Sequence, residues 1–334
     1  MALSTSTIIV LSSHHWLLAW LGLELNTLSI LPIIMKSNHP RTTEATTKYF
    51  LIQALAAALI LFSSIMNAWQ TGQWNISHTT TPMATTAITL GIMIKLGLAP
   101  AHAWYPEVLQ GTTLNTALII STWQKFAPLA LLYLMTNHLT TNILLTLGAL
   151  SALIGGWMGL NQTQTRKIMA FSSIAHMGWL ITAMALSPKL TMMTLIMYTI
   201  MTTAMFLSLN TTTTKTLTDL GTTWTQSPPL ITLTVLTLMS LGGLPPLTGF
   251  MPKWLILNEL CFIELIPMST LLVLASLPSL YFYIRMTYLI MLTNPPNTTT
   301  TEFKWRFPNH INPAIPPLMM LTSLLIPLTP MLLT

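Results

Sequence analysis

Residues 91–100, GIMIKLGLAP, place a lysine inside an apolar helical run and close that run with Gly97 and Pro100. Such a lysine is either the exposed cation of a soluble helix or a charge with work to do inside a membrane. Composition decides between the two. The 334 residues are 52% hydrophobic and only 6% charged, whereas a soluble domain carries about 25% charged residues. So few charges cannot dress the surface of a 37.0 kDa globule, and the mean hydropathy is +0.65. The reading is an all-α, polytopic membrane protein.

Working outward, a helix needs about 20 apolar residues to cross the hydrocarbon layer. About eleven spans are expected: a short one at 1–12, then 13–36, 47–70, 82–108, 114–135, 140–160, 167–187, 190–210, 229–260, 267–291 and 314–333. Two are too long and are interrupted, one at KLGLAPAHAWYPE (95–107) and the other at LGGLPPLTGFMPKW (241–254). With alternating spans, Lys36, Arg41, Lys48, Arg166, Lys167, Lys215, Arg285, Lys304 and Arg306 share one side, and Lys189 takes the other. Short basic loops stay inside, so the rich side is the matrix or cytoplasm and the N-terminus starts there. The formal charge of +6 therefore reports topology, and nucleic acid is not an expected partner.

The interrupted spans are fourth and ninth. An odd offset makes the two copies run in opposite directions, and paired Gly/Pro-broken segments mark inverted-repeat transporters. Leu96-Gly97 with Pro100 echoes Leu241-Gly242 with Pro245, followed by Pro246. The expected organisation is a single transmembrane domain over 1–334. Its first five-helix repeat is at about 1–135, its second at about 140–291, and a C-terminal helix follows at about 314–333.

Four ionisable residues fall within spans: Glu24, Lys95, Lys125 and Lys253. A charge at mid-bilayer costs at least about 2.5–3.5 kcal/mol, so partners, internal water or both are implied. An ion pair between Glu24 and Lys95 would be a plain structural clamp, but it leaves Lys125 and Lys253 without acidic partners. The sharper reading is a proton relay, since burial favours a neutral amine and a nearby carboxylate favours the ammonium. Breaks at Pro100 and Pro245 free backbone carbonyls and make room for water at that depth. His102 and His176 are further relay candidates, each equally readable as a hydrogen-bonded packing residue.

The lone Cys261 rules out a disulfide framework or a cysteine-ligated cluster within the chain. His102 and His176 make at most one facing pair, which argues against a cytochrome. Trp16, Trp69, Trp74, Trp104, Trp224 and Trp305 flank spans and read as interface anchors. The start, MALSTSTIIVLSSHHW, has no basic n-region, so neither a cleavable signal nor an Arg-rich transit peptide is read there. The abundance of methionine and threonine hints at a skewed, organellar genome.

Together KLGLAPAHAWYPEV (95–108), TWQKFAP (122–128), NQTQTRKIMAFSSIAHMGW (161–179) and GLPPLTGFMPKW (243–254) resemble the antiporter-like membrane subunits of mitochondrial respiratory complex I, NADH–ubiquinone oxidoreductase. The resemblance spans nearly the whole chain. It implies a mitochondrial inner-membrane location, basic loops facing the matrix, and a part in redox-driven proton pumping. It assigns the family's central glutamate to Glu24 and its central-axis lysines to Lys95, Lys125 and Lys253. No cofactor is implied for this chain, because NADH, flavin, iron–sulfur clusters and ubiquinone would act in other subunits. The implied partners are membrane-arm subunits, including a second antiporter-like subunit and small membrane subunits, with the bilayer, protons and internal water. The first span is a dozen residues where the family has a full helix, so the chain is expected to be truncated or to begin at a different start. Two rivals stand beside this reading: a free-standing cation/proton antiporter, and a scaffold subunit without transport.

Overall fold

The computed structural model describes residues 1–36, 39–223, 228–291 and 312–333. Lys304 and Arg306 of the expected basic side, and Trp224 and Trp305, lie outside them. The chain forms two compact units, Met1–Ser151 and Ala152–Thr334, and named strands are absent among the described residues.

The first unit runs α1 (Ala2–Ser12), α2 (Trp16–Met35), α3 (Pro40–Thr71), α4 (Pro82–Leu96), α5 (Trp104–Gly111), α6 (Leu114–Ser121) and α7 (Trp123–Leu134), and enters α8 (Thr141–Gly159). The second continues with α9 (Thr165–Leu186), α10 (Pro188–Thr212), α11 (Leu217–Thr222), α12 (Pro228–Gly242) and α13 (Phe250–Phe262). It ends with α14 (Ile266–Met291), α15 (Ile315–Leu324) and α16 (Thr329–Leu333). Seven of the helical stretches are long and apolar enough to cross a membrane, counting Leu114–Leu134 as one, and four shorter apolar helices accompany them.

Which side chains face inward identifies the solvent. On α2 the exposed residues are Leu17, Leu18, Leu21, Leu25 and Leu28, while Asn26 and Thr27 are buried. On α3, Phe50, Leu51, Leu55, Phe62 and Ile65 face out, and Gln53, Ser63, Ser64 and Asn67 face in. A water-soluble helix does the reverse. Here every backbone group must be satisfied within the protein, as helices do, and the surroundings are lipid. The many buried hydroxyls cost little because they bond back to their own helix: Thr89 to the Thr86 carbonyl, Ser172 to Met169, Thr182 to Trp179 and Thr237 to Thr234. Small residues let helices approach, as where a Cβ on Gly91 would meet Ile60 at 2.8 Å.

Each expected span overlaps one helix or a helix pair, with four departures. α3 begins at Pro40 rather than 47, because His39 accepts the Arg41 amide, forms a capping box with Thr42 and is followed by proline at the first helical position. The span 114–135 is kinked at Thr122, between α6 and α7, with Pro128 shortly beyond. The C-terminal span is interrupted after Leu324 by a 3₁₀ turn at Ile326–Leu328, with Pro327 and Pro330 in the sequence. α11 lay in an expected loop; its signal was the Thr216–Asp219 capping box. Trp16 and Trp104 are core residues, 0% and 5% exposed, rather than interface anchors; Trp69 is 79% exposed.

Candidate proton-loading sites

Both expected breaks exist, each seven residues long: α4 stops at Leu96 and α5 starts at Trp104, while α12 stops at Gly242 and α13 starts at Phe250. The helix ends are the same backbone motif. Gly97 sits at φ +73° and Gly243 at φ +84°, the left-handed conformation that glycine adopts without a Cβ penalty. In the first break the Gly97 amide donates to the Ile94 carbonyl and the Leu98 amide to Met93; in the second Gly243 donates to Ser240 and Leu244 to Met239. The re-entry matches as well, Tyr105 donating to His102 and Met251 to Thr248. Every partner in the second break lies 146 residues after its counterpart in the first. The glycine equivalent to Gly97 is therefore Gly243, not Gly242 as the sequence pairing had it. Pro100 pairs with Pro246, Pro106 with Pro252 and Glu107 with Lys253.

In the first unit, α4 carries Lys95 in its last turn and α7 carries Lys125 in its first. They are 7% and 3% exposed. Both line one cavity of about 20 Å³, together with Asn26, Tyr49, Gln53, Tyr105 and Gln124, which is room for one or two waters. The Lys95 Nζ has no hydrogen-bond partner among the described residues, while the Lys125 Nζ lies 5.1 Å from the centre of the Tyr105 ring, a cation–π distance. Gln53 Nε2 donates to the Lys95 carbonyl at 3.4 Å, capping one of the carbonyls that the break leaves open.

Glu24 is half-buried on α2, with Oε2 buried and unbonded among the described residues. It forms no ion pair with Lys95, since the ion pairs among the described residues are Lys48 with Glu44 and with Glu107. His102 is buried inside the break, its Nδ1 3.1 Å from the Pro100 carbonyl oxygen. Sequence reading missed the pair that bridges α2 and α7: Asn26 Nδ2 donates to Gln124 Oε1 at 2.9 Å, and Gln124 Nε2 returns to Asn26 Oδ1 at 3.3 Å. Its signal was an amide beside each charge, at ELN and QK.

In the second unit the Lys253 Nζ donates to the Gly242 carbonyl at 3.0 Å and lies 5.9 Å from the centre of the Trp179 ring. The amine of α13 thus folds back onto the open end of α12. His176 Nε2 is 3.4 Å from the Tyr283 hydroxyl, and its ring packs at 6.0 Å against Tyr198. Thr248, in the break, donates to the Thr322 carbonyl and ties the interruption to α15. Pro245 and Pro246 are exposed, as is Pro100. Among the described residues there is no group of three His, Cys, Asp or Glu side chains able to hold a metal ion.

The chain matches the family model for NADH:quinone oxidoreductase/Mrp antiporter transmembrane segments over residues 13–279. The model for the C-terminus of NADH dehydrogenase subunit 2 follows over 280–333. It is 52% identical to NADH-ubiquinone oxidoreductase chain 2 of Struthio camelus over 99% of its own length and 96% of the relative's. For the same-named protein of Xenopus laevis the identity is 51%, over 100% and 97%. Among solved structures it resembles a chain of respiratory complex I from Thermus thermophilus with bound aureothin. That likeness has 25% identity and a TM-score of 0.87, over 99% of this chain and 78% of that one. A chain of the Mrp complex from Dietzia sp. shares the fold, with 17% identity and a TM-score of 0.86, over 99% and 74%.

Proposed function

Since the chain belongs to the NADH:quinone oxidoreductase/Mrp antiporter family, in its NADH dehydrogenase subunit 2 branch, we propose that it is a proton-translocating membrane subunit of respiratory complex I. NADH oxidation and ubiquinone reduction take place in other subunits, where the flavin and iron–sulfur clusters reside, and this chain turns the released energy into transport. The observation that carries the reading is the small polar cavity shared by two buried lysines, Lys95 and Lys125.

Two amines lining one water-sized space can exchange a proton by a short relay, and no ion larger than a proton need enter. Lys95 is the loading position, with Glu24 acting on it through space; Lys125 receives. Lys253 is the carrier of the second unit, and His102 and His176 are relay points beside the breaks. The two interrupted helices, alike at an offset of 146 residues, support reading the chain as two repeats of one transmembrane domain, followed by a C-terminal helix.

The location is the mitochondrial inner membrane, with the basic loops in the matrix. Other membrane-arm subunits surround the chain, a second antiporter-like subunit and small membrane subunits among them. Thr43 is exposed at the start of α3, so a cysteine placed there should label from the matrix side; labelling from the intermembrane side would overturn this topology. For the relay the decisive variant is Lys125→Met, which keeps volume and removes the protonatable group. In assembled complex, proton flux should fall by on the order of 10²-fold, as for loss of a proton-transfer group. Normal pumping would make Lys125 a packing residue and favour the scaffold reading.

A further inference from the structure

Among the described residues Lys253 has no carboxylate for a partner, yet its ammonium is not left bare. Its Nζ rests on the carbonyl of Gly242, the last residue of the fifteen-residue helix α12. The last four carbonyls of a helix lack intrahelical donors and together carry a partial negative charge of about half an electron. The chain leaves the helix at Gly243 with φ +84°. A Cβ built on Gly243 would stand 2.9 Å from the Lys253 Nζ, 3.2 Å from its Cδ and 3.3 Å from its Cε. Those atoms are the far end of a flexible side chain, so what would yield is the lysine and not the backbone.

We propose that Gly243 is a positioning residue. By carrying no side chain it seats the Lys253 ammonium on the open end of α12, and this helix end serves as the lysine's counter-charge. In the first unit the relay reading gives Lys95 a side chain, Glu24, as its negative influence from a distance; in the second a backbone terminus does the equivalent work. The proposal rests on the reading of Lys253 as a proton carrier.

The test uses assembled complex in proteoliposomes, with proton flux measured per NADH oxidised. Gly243→Ala and Gly243→Asn both add the colliding Cβ, but asparagine takes the left-handed conformation at lower cost than alanine. A defect shared by both variants therefore reports the displaced lysine rather than backbone strain. Gly72→Ala is the control for strain alone, because Gly72 ends α3 at φ +72° with nothing within 4 Å of its Cβ position. Both Gly243 variants should lose at least about tenfold of the flux while Gly72→Ala keeps it. Normal flux in Gly243→Asn overturns the seat. If Gly243→Asn fails to assemble, Lys253→Ala in the same chain decides. Recovered assembly supports the collision with the lysine, and persistent failure makes Gly243 a packing residue and overturns the proposal. Lys253→Met, measured alongside, separates the two levels. Normal pumping there sinks the carrier reading itself, whereas a dead Lys253→Met beside a normal Gly243→Asn sinks only the seat.

Discussion

The two helix breaks share backbone geometry residue for residue and use it differently. Position 107 of the first and 253 of the second are equivalent, the fourth residue of the re-entering helix in each case. In the first that residue is glutamate, turned outward to an ion pair with Lys48 of α3. In the second it is lysine, folded inward onto the end of its own broken helix. The open carbonyl turn of the first break is met instead by a neutral amide, Gln53, and its lysine, Lys95, lies before the break rather than after it. The interruption, then, is a socket: a buried helix end whose last carbonyls accept from a side chain, closed by a left-handed glycine. The charge that occupies the socket is a separate choice made by one side chain.

Lys253→Met, with an expected effect as large as that of Lys125→Met, would break the comparison outright. If both breaks serve proton transfer, flux should drop by on the order of 10²-fold with the complex still assembled; unchanged flux would leave the second break a structural relic. Next come Glu24→Gln, Lys95→Met and the double variant, read as flux and assembled complex. Each single change should reduce flux roughly tenfold, the size of a coupling of about 1.4 kcal/mol between sites. The double should be little worse, because both act in one step. An active double beside two impaired singles would restore the clamp that the geometry argues against.

Gly97→Ala sharpens the contrast with Gly243. Its Cβ would meet Trp104 and Tyr105 at 3.3 Å, and none of its three nearest atoms carries a charge. Left-handed strain of about 1–2 kcal/mol should therefore lower thermal stability and yield, with flux falling only in proportion to the complex lost. Flux falling further than that would give Gly97 a role in proton transfer. The smallest effect belongs to Lys48→Ala. It removes both exposed ion pairs of the first unit, and exposed pairs contribute little. Flux and melting temperature should stay near those of the unaltered complex, and a large loss would mean that anchoring Glu107 matters as much as seating Lys253.

The apolar helices, both breaks and the four charges that fall within them were legible because their signals are local: apolar run length, Gly/Pro punctuation and a charge where none belongs. The breaks were paired one residue out of step because Gly242-Gly243 offers two equivalent letters. Only the sign of φ tells which glycine ends the helix. The kink at Thr122 had no glycine to announce it. Gln53, Asn26 and Gln124 went unread because an amide in an apolar helix acquires meaning only from what faces it, and that is a tertiary fact. The same holds for Glu24 and Lys95, which sequence reading could bring together as a pair but which geometry keeps apart.

The cavity beside Lys95 and Lys125 also bears on leakage. Each elementary charge that crosses an energised membrane dissipates about 2.3 kcal/mol per 100 mV, so a pump must also be an insulator. A space of about 20 Å³ cannot admit a sodium ion wearing its hydration shell, and a cation that shed the shell would enter a cavity lined by two amines, Lys95 and Lys125. A proton crosses the same gap by rearranging bonds, with almost no displacement of mass. On the relay reading, scarcity of room and a lining that carries two amines together oppose the hydrated cations whose passage would short-circuit the gradient.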